Sequence, residues 1–452
     1  MQLKNVIDSP CGLRFMLDQL ELQSSFSRRW LLDRPMMTDG EEMMRMYDML
    51  QRFFDFVNQT DATYLHTLLF KLQQLKDIRT TIKNLSQKAT LDDIELFEVK
   101  HLAILATDVH RLLLQHKMND VVEIPDLEKV IIILDPDGMK IATFYVYDAY
   151  CEQLKDLRNK IRLHPEQEEL LLQANEIEEE VRTNLCQQLF SYAPAIEQAQ
   201  QALAQIDVYL AKAIQVNNMG LCLPTLSADG CSYLERMFHP QVKEALAKTK
   251  RSFQPVSIRF GKKPTLITGA NMGGKTVVLK TLTLCQYLFQ FGFGIPAEKA
   301  QIDVKDDIYF CIGDEQSIEK GLSSFAAEMK NIDAVIKASR ENRKLLALID
   351  EPARTTNPSE GAALVSALIK VLSKKEMSLI MTTHYDIDPD NAHCLRVKGF
   401  EEGQMNFTLV EVEDGEVPHE ALNIAESLHI DSEWITEARR LLEPSRSQSS
   451  VN

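Results

Sequence analysis

The sequence predicts an α/β domain in its C-terminal half, preceded by a mostly α-helical half. Three observations predict it. Gly269-Ala270-Asn271-Met272-Gly273-Gly274-Lys275-Thr276 fits the pattern G-x-x-x-x-G-K-[ST], with an apolar strand before it (Thr265 to Thr268) and a helix after it (Val277 to Phe291). Two further apolar runs end in chemistry: Lys344 to Glu351 closes on two acids, and Ser378 to Thr383 closes on His384. Before residue 220, most apolar residues recur at helical spacing.

The first element is a nest for phosphate. A strand, a glycine loop and a helix N-terminus aim backbone N–H groups and a favourable dipole at an anion. Gly269, Gly273 and Gly274 let the backbone close in without a side chain in the way. Lys275 is placed to reach the β- and γ-phosphates, and the Thr276 hydroxyl to hold Mg²⁺. An Asp at the end of a later strand helps bind Mg²⁺ in such sites, and Asp350 fits. Glu351 is then placed to orient or deprotonate the attacking water. His384, at the end of the third strand, is placed to sense the γ-phosphate or to hold that water. ATP and Mg²⁺ are the expected cofactors, and ATP hydrolysis is the expected reaction.

At this point a family resemblance emerges. The loop with its Asn271-Met272-Gly273-Gly274-Lys275 core resembles the MutS phosphate loop. Ile312-Gly313-Asp314-Glu315-Gln316, Gly321-Leu322-Ser323-Ser324-Phe325 and Glu328-Met329 resemble the MutS signature region. Asp350-Glu351-Pro352-Ala353-Arg354-Thr355-Thr356-Asn357-Pro358-Ser359-Glu360-Gly361 resembles its Walker B and dimer loop, and Thr383-His384-Tyr385 its switch histidine. Phe291 to Glu298 and His239-Pro240 are similar as well. The resemblance implies an ABC-type P-loop ATPase that dimerises head to tail. Each ATP would lie between the phosphate loop of one subunit and Ser323 and Ser324 of the other. Phe253 stands where the family stacks an aromatic on adenine, or it is a buried Phe. Ala270, Val277 and Pro352-Ala353 depart from the family's Pro, hydroxyl residue and Ile-Gly. None of these removes a group from the phosphate or metal site.

Composition bounds the rest. A chain of 452 residues, 45% hydrophobic and 26% charged, suits two or three globular domains. No run is long and apolar enough to span a membrane, and the start does not read as a signal peptide, so a cytoplasmic protein is expected. Eight scattered cysteines without a C-x-x-C pair read as reduced thiols. The net charge of −16 argues against a chain dedicated to nucleic acid, because phosphate contacts need a basic face. Lys243, Lys248, Lys250, Arg251, Arg259, Lys262 and Lys263 cluster along the sequence and read as a solvated face.

Taken in order, residues 1–225 read as a helical core and short lever domain. Thr38-Asp39-Gly40-Glu41 caps a helix from Glu41 to Asn58, whose Met43, Met46, Tyr47, Leu50, Phe53, Phe54 and Val57 make a core face. Two or three amphipathic helices fill 61–118 and are similar to the MutS core. Val121 to Leu134, the turn Asp135-Pro136-Asp137-Gly138 and Phe144 to Tyr147 read as a small hairpin. A helix from Asp148 to Leu163 turns at His164-Pro165, and a long helix from Glu166 to Asn217 breaks near Ala193-Pro194. This pair resembles the MutS levers without their clamp insertion. Gly220 to Gly230 reads as a linker. The ATPase domain is expected over 231–410, a C-terminal helical dimerisation motif over 411–444 (His419 to Ala425, Ser432 to Ala438), and a disordered tail over 445–452.

No mismatch-probing Phe-x-Glu and no nuclease-like segment is found in the sequence, so two partners stay open. One is a protein client, as in reactivating factors for cobalamin-dependent aminomutases, which short MutS-like proteins resemble. The other is mismatched or branched DNA. The dimer is either a homodimer or a heterodimer with a paralogous MutS-like subunit.

Overall fold

The computed structural model describes residues 1–139, 141, 143–269, 273–312, 324–341, 343–385, 387, 392–401, 404–412 and 430–442. The chain forms two compact units. The first holds Met1–Lys4, Leu20–Pro35 and Asp48–Gln215, and the second Asn5–Gln19, Met36–Tyr47 and Val216–Asn452. Residues 5–19 and 36–47 therefore cluster with the C-terminal half, although the sequence assigned them to 1–225.

In the first unit every described element is helical. Ala62–Leu72, Arg79–Ser86 and Asp93–Gln115 fill the stretch 61–118. Asp92 closes a capping box on the last of these. Its carboxylate accepts from the Glu95 N–H, and the Glu95 side chain accepts from the Asp92 N–H. The hairpin expected over 121–147 is not there: Glu128–Leu134 is a helix, and no strand occurs in that stretch among the described residues. Asp126, two residues ahead of the helix, accepts from the Glu128 N–H at 2.9 Å. Val130 and Leu134, four apart, are fully buried, while Ile132 is 60% exposed. Burial of one helical face overrides the β preference of the Ile residues. The turn after it is as expected: the Gly138 N–H donates to Asp135 O at 3.0 Å, with Gly138 at φ 66°.

Glu152–Leu163 and Glu168–Leu189 pack as a helical hairpin around Leu154, Leu157 and Ala174, joined by the turn at His164-Pro165. Arg158 ties the hairpin by donating to Glu178 at 2.7 Å. A short 3₁₀ turn, Phe190–Tyr192, then leads into Ala193–Met219, with Pro194 in its first turn. On that last helix Asp207 is fully buried and accepts from the Gln23 and Ser24 N–H groups, each at 3.1 Å. Burial raises its pKa from 3.8 to about 6. A carboxyl raised in this way favours the folded state below its unfolded pKa, and that contribution is lost as pH rises through about 6. Asp207→Asn should therefore gain on the wild type by about 2–3 kcal/mol between pH 4 and pH 7. Urea midpoints of the two proteins across that range test it, and a constant difference would count against the buried, titrating carboxyl.

The second unit carries two sheets. Strands β1 (Thr225–Leu226), β2 (Ser232–Met237), β3 (Val256–Phe260) and β5 (Lys299–Ile302) form one, in the order β1-β5-β2-β3. The stretch read as a linker thus contributes a strand, with Thr225 paired to Gln301. The main sheet adds β4 (Thr265–Thr268), β6 (Asp307–Cys311), β7 (Leu345–Ile349), β8 (Met377–Thr382), β9 (His393–Glu401) and β10 (Gln404–Glu411), in the order β10-β9-β4-β8-β7-β6. All its pairings are parallel except β9 with β10. Strands β7 and β8 are buried along their whole length, which is why they read as unbroken apolar runs. The helices Lys275–Gln290, Ser324–Ala338 and Pro358–Leu372 belong to this unit; Val335, Val365, Leu368 and Leu372 pack with Leu345, Ala347 and Leu379 of the sheet.

Two details tie the early segments into this unit. The Tyr47 hydroxyl donates to Phe289 O at 2.9 Å. Gly12, at φ 87°, lies so close to His239 that a Cβ there would come within 2.7 Å of its ring. His239 in turn caps the helix Pro240–Lys248, accepting from the Val242 N–H. Among the described residues, no helix is long and apolar enough to cross a membrane.

Candidate functional site

Parallel pairing decides what meets at the site. β4, β8 and β7 are neighbours pointing the same way, with Ile267 opposite Thr382 and Ile349 opposite Met381. Their carboxyl ends therefore emerge on one edge, the place where open α/β sheets bind ligands. Gly269 follows β4, Asp350 and Glu351 follow β7, and His384 stands two residues after β8.

The side chains at this edge form one connected set. The Thr276 hydroxyl donates to Asp350 Oδ2 at 2.8 Å, and the Thr382 hydroxyl donates to Asp350 Oδ1 at 2.6 Å. The same Thr382 oxygen accepts from the Glu351 N–H at 2.9 Å. Lys275 Nζ donates to Gly269 O at 2.7 Å and lies 3.2 Å from Glu351 Oε1. Both side chains are sheltered, at 3% and 12% exposure, so this ion pair is weakly screened. Arg354 approaches the other Glu351 oxygen at 3.5 Å from an exposed position. Glu351 and Ala353 both take left-handed backbone, at φ 43° and 60°. Such conformations cost an L-residue about 1–2 kcal/mol each, so the surroundings must hold them.

The helix Lys275–Gln290 starts at Gly274, which has φ 72°. A side chain at Gly274 would press on the Phe407 ring at 3.1 Å. Gly269, at φ 126°, is likewise tight against Val397. Beside Gly273 and Gly274 opens an apolar cavity lined by Phe253, Met237, Val242, Leu246, Val277 and Phe407. Gln254 braces its rim. It donates to Asn406 Oδ1 at 2.9 Å and accepts from the Phe407 N–H at 3.0 Å, across an irregular stretch of β10.

Of the residues singled out from sequence, Gly269, Gly273, Gly274, Lys275, Thr276, Asp350, Glu351 and Phe253 thus surround one edge and one cavity. His384 is exposed there, its ring 4.2 Å from that of Tyr385. Asn271, Met272 and Ser323 lie outside the described residues, as do 413–429 and 443–452 of the C-terminal region; Ser324 begins a helix, but its side chain is likewise outside them. Sequence reading gave no role to Thr382, Tyr385, Gln254 or Phe407, although Thr382 and Tyr385 stand within the runs quoted around His384. Nothing local marks Gln254 or Phe407.

Three of the seven residues of the basic cluster pair with acids of the same chain. Lys248 pairs with Glu244 at 2.7 Å, Arg259 with Asp229 at 3.0 Å and Lys262 with Glu376 at 2.6 Å.

Comparison with known proteins adds to this geometry. Residues 265–442 match the family described as MutS domain V. Over 354 residues the chain is 31% identical to a protein named endonuclease MutS2 from Caldicellulosiruptor bescii, and 32% identical to its namesake from Caldicellulosiruptor saccharolyticus. Each match covers 76% of this chain and 42% of the relative. A Clostridium botulinum protein of the same name is 33% identical over 250 residues, or 55% of this chain and 30% of that protein.

Proposed function

Because the chain belongs to the MutS family, with MutS domain V in its C-terminal half, we propose that it binds and hydrolyses ATP as a dimeric switch. One observation carries this reading: Thr276, Asp350, Thr382, Glu351 and Lys275 are joined by direct contacts at the carboxyl edge of the sheet. The residues fit the cofactors. A hydroxyl and a carboxylate in contact offer the hard oxygen donors that Mg²⁺ takes. A buried ammonium beside a glycine loop suits a phosphate. Bound Mg²⁺–ATP supplies the phosphoryl group and neutralises part of its charge.

The chain's own residues do the rest. Lys275 exchanges Glu351 for phosphate oxygens, which frees the Glu351 carboxylate to orient a water and take its proton. Thr276 and Asp350 hold the metal, and Thr382 fixes Asp350 in place. Phe253, with Phe407 across the cavity, accommodates the base. His384 senses the γ-phosphate from the neighbouring strand end. Ser323 and Ser324 complete the site of a second subunit.

The client is the open part. The acidic charge and the paired lysines and arginines support a protein client, such as an aminomutase awaiting reactivation. The similarity to proteins named endonuclease MutS2 supports mismatched or branched DNA. Binding to duplex, branched and single-stranded DNA across a salt series separates them. On the protein-client reading, binding at physiological salt is weak and blind to mismatches. Tight, mismatch-selective binding that falls by about 10³-fold or more between 50 and 200 mM salt restores the DNA reading.

A further inference from the structure

Resting on the reading of Glu351 as the base, we propose that Glu328 and Tyr385 are positioning residues that hold the loop 351–354 in its left-handed, hydrolysis-competent form. Ala353 is gripped on both of its backbone groups. Its N–H donates to Glu328 Oε1 at 3.1 Å, and its carbonyl accepts from the Tyr385 hydroxyl at 2.8 Å. Tyr385 is itself fixed, since its N–H donates to the Thr383 hydroxyl at 3.0 Å. Gly361 makes room for the ring: a Cβ there would lie 2.2 Å from the Tyr385 oxygen. Without these two bonds, the strain at φ 43° and 60° is left to the Glu351 N–H on Thr382, the Glu351 ion pairs with Lys275 and Arg354, and the local bond from the Thr356 N–H to Ala353 O at 3.2 Å. The loop would then relax, and Glu351 would swing off its station while the phosphate-binding residues stay put.

The grip also joins two parts of the site. Glu328 lies in the helix Ser324–Ala338, which begins at one of the two serines expected to touch a neighbour's ATP, and Ala353 lies two residues past the base. Burial raises the Glu328 carboxyl pKa, in keeping with a sheltered bond. The contact links the signature helix to the loop bearing the base of the same chain.

Single-turnover hydrolysis and nucleotide affinity, measured on the full chain for Glu328→Ala, Glu328→Gln and Tyr385→Phe, test the proposal. Glu328→Ala and Tyr385→Phe should each slow cleavage by about tenfold or more while nucleotide affinity stays within about threefold, the mark of a group that acts after binding. Glu328→Gln, whose amide oxygen can accept the same bond, should recover most of the rate. Wild-type cleavage in both Glu328→Ala and Tyr385→Phe overturns the inference, as does a Glu328→Gln protein no faster than Glu328→Ala. A wild type whose rate is unchanged by Glu351→Gln would instead overturn the assignment of the base itself.

Discussion

Lys275→Ala is expected to abolish ATP binding, and Glu351→Gln is expected to preserve binding while slowing hydrolysis by roughly 10²–10⁴-fold. The two effects follow from one contact. Lys275 is almost fully buried and holds both Gly269 O and Glu351. Its removal deletes the only phosphate partner proposed to carry a full positive charge, and it leaves Glu351 facing the phosphates as a like charge. The amide of Gln keeps the shape of Glu351 but cannot accept a proton. A nucleotide titration and a single-turnover phosphate-release assay read the two steps separately. Equal release rates for wild type and Glu351→Gln would remove Glu351 from its role. Normal nucleotide affinity in Lys275→Ala would remove the phosphate loop from its own.

Mixing two inactive proteins should restore activity. If Ser323 acts only on a neighbour's ATP, Lys275→Ala and Ser323→Ala subunits are each dead alone. In a mixed dimer, one site pairs the intact phosphate loop of the Ser323→Ala subunit with the intact signature of the Lys275→Ala subunit. Random exchange at equal amounts makes half the dimers mixed, each with one working site of two, so roughly a quarter of wild-type turnover returns. No recovery after exchange has been demonstrated, for example by tagged co-purification, would sink the shared site.

The motifs were legible where chemistry demands particular residues at particular spacing. Gly269 to Thr276 reads as a strand-to-helix loop because glycines at fixed places and a Lys-Thr pair have few other uses together. The structure puts β4 before it and the helix Lys275–Gln290 after it. Strands β7 and β8 were legible because full burial leaves a continuous apolar run. The strand β3 was equally available, since Val256, Ile258 and Phe260 alternate with Ser257 and Arg259, and its partner β2 shortly precedes it in sequence. At 128–134 the β-branched residues pointed to a strand, and only the inward placement of Val130 and Leu134 made a helix.

By itself, then, the sequence determined the residues proposed to do chemistry: Lys275, Thr276, Asp350 and Glu351 are singled out by type, order and the strands that carry them. Tertiary structure alone decided how they are held. Strand order β4-β8-β7 set Thr382 between Asp350 and Glu351, though 31 residues separate Thr382 from Glu351. It brought Gln254 to Phe407 over 153 residues, and Glu328 and Tyr385 to the two sides of Ala353. Local physics acts over a turn of helix or a pair of strand residues, and a motif is that short. The grip on a strained loop comes from chain segments whose meeting is settled only when the sheet closes and its two faces are covered.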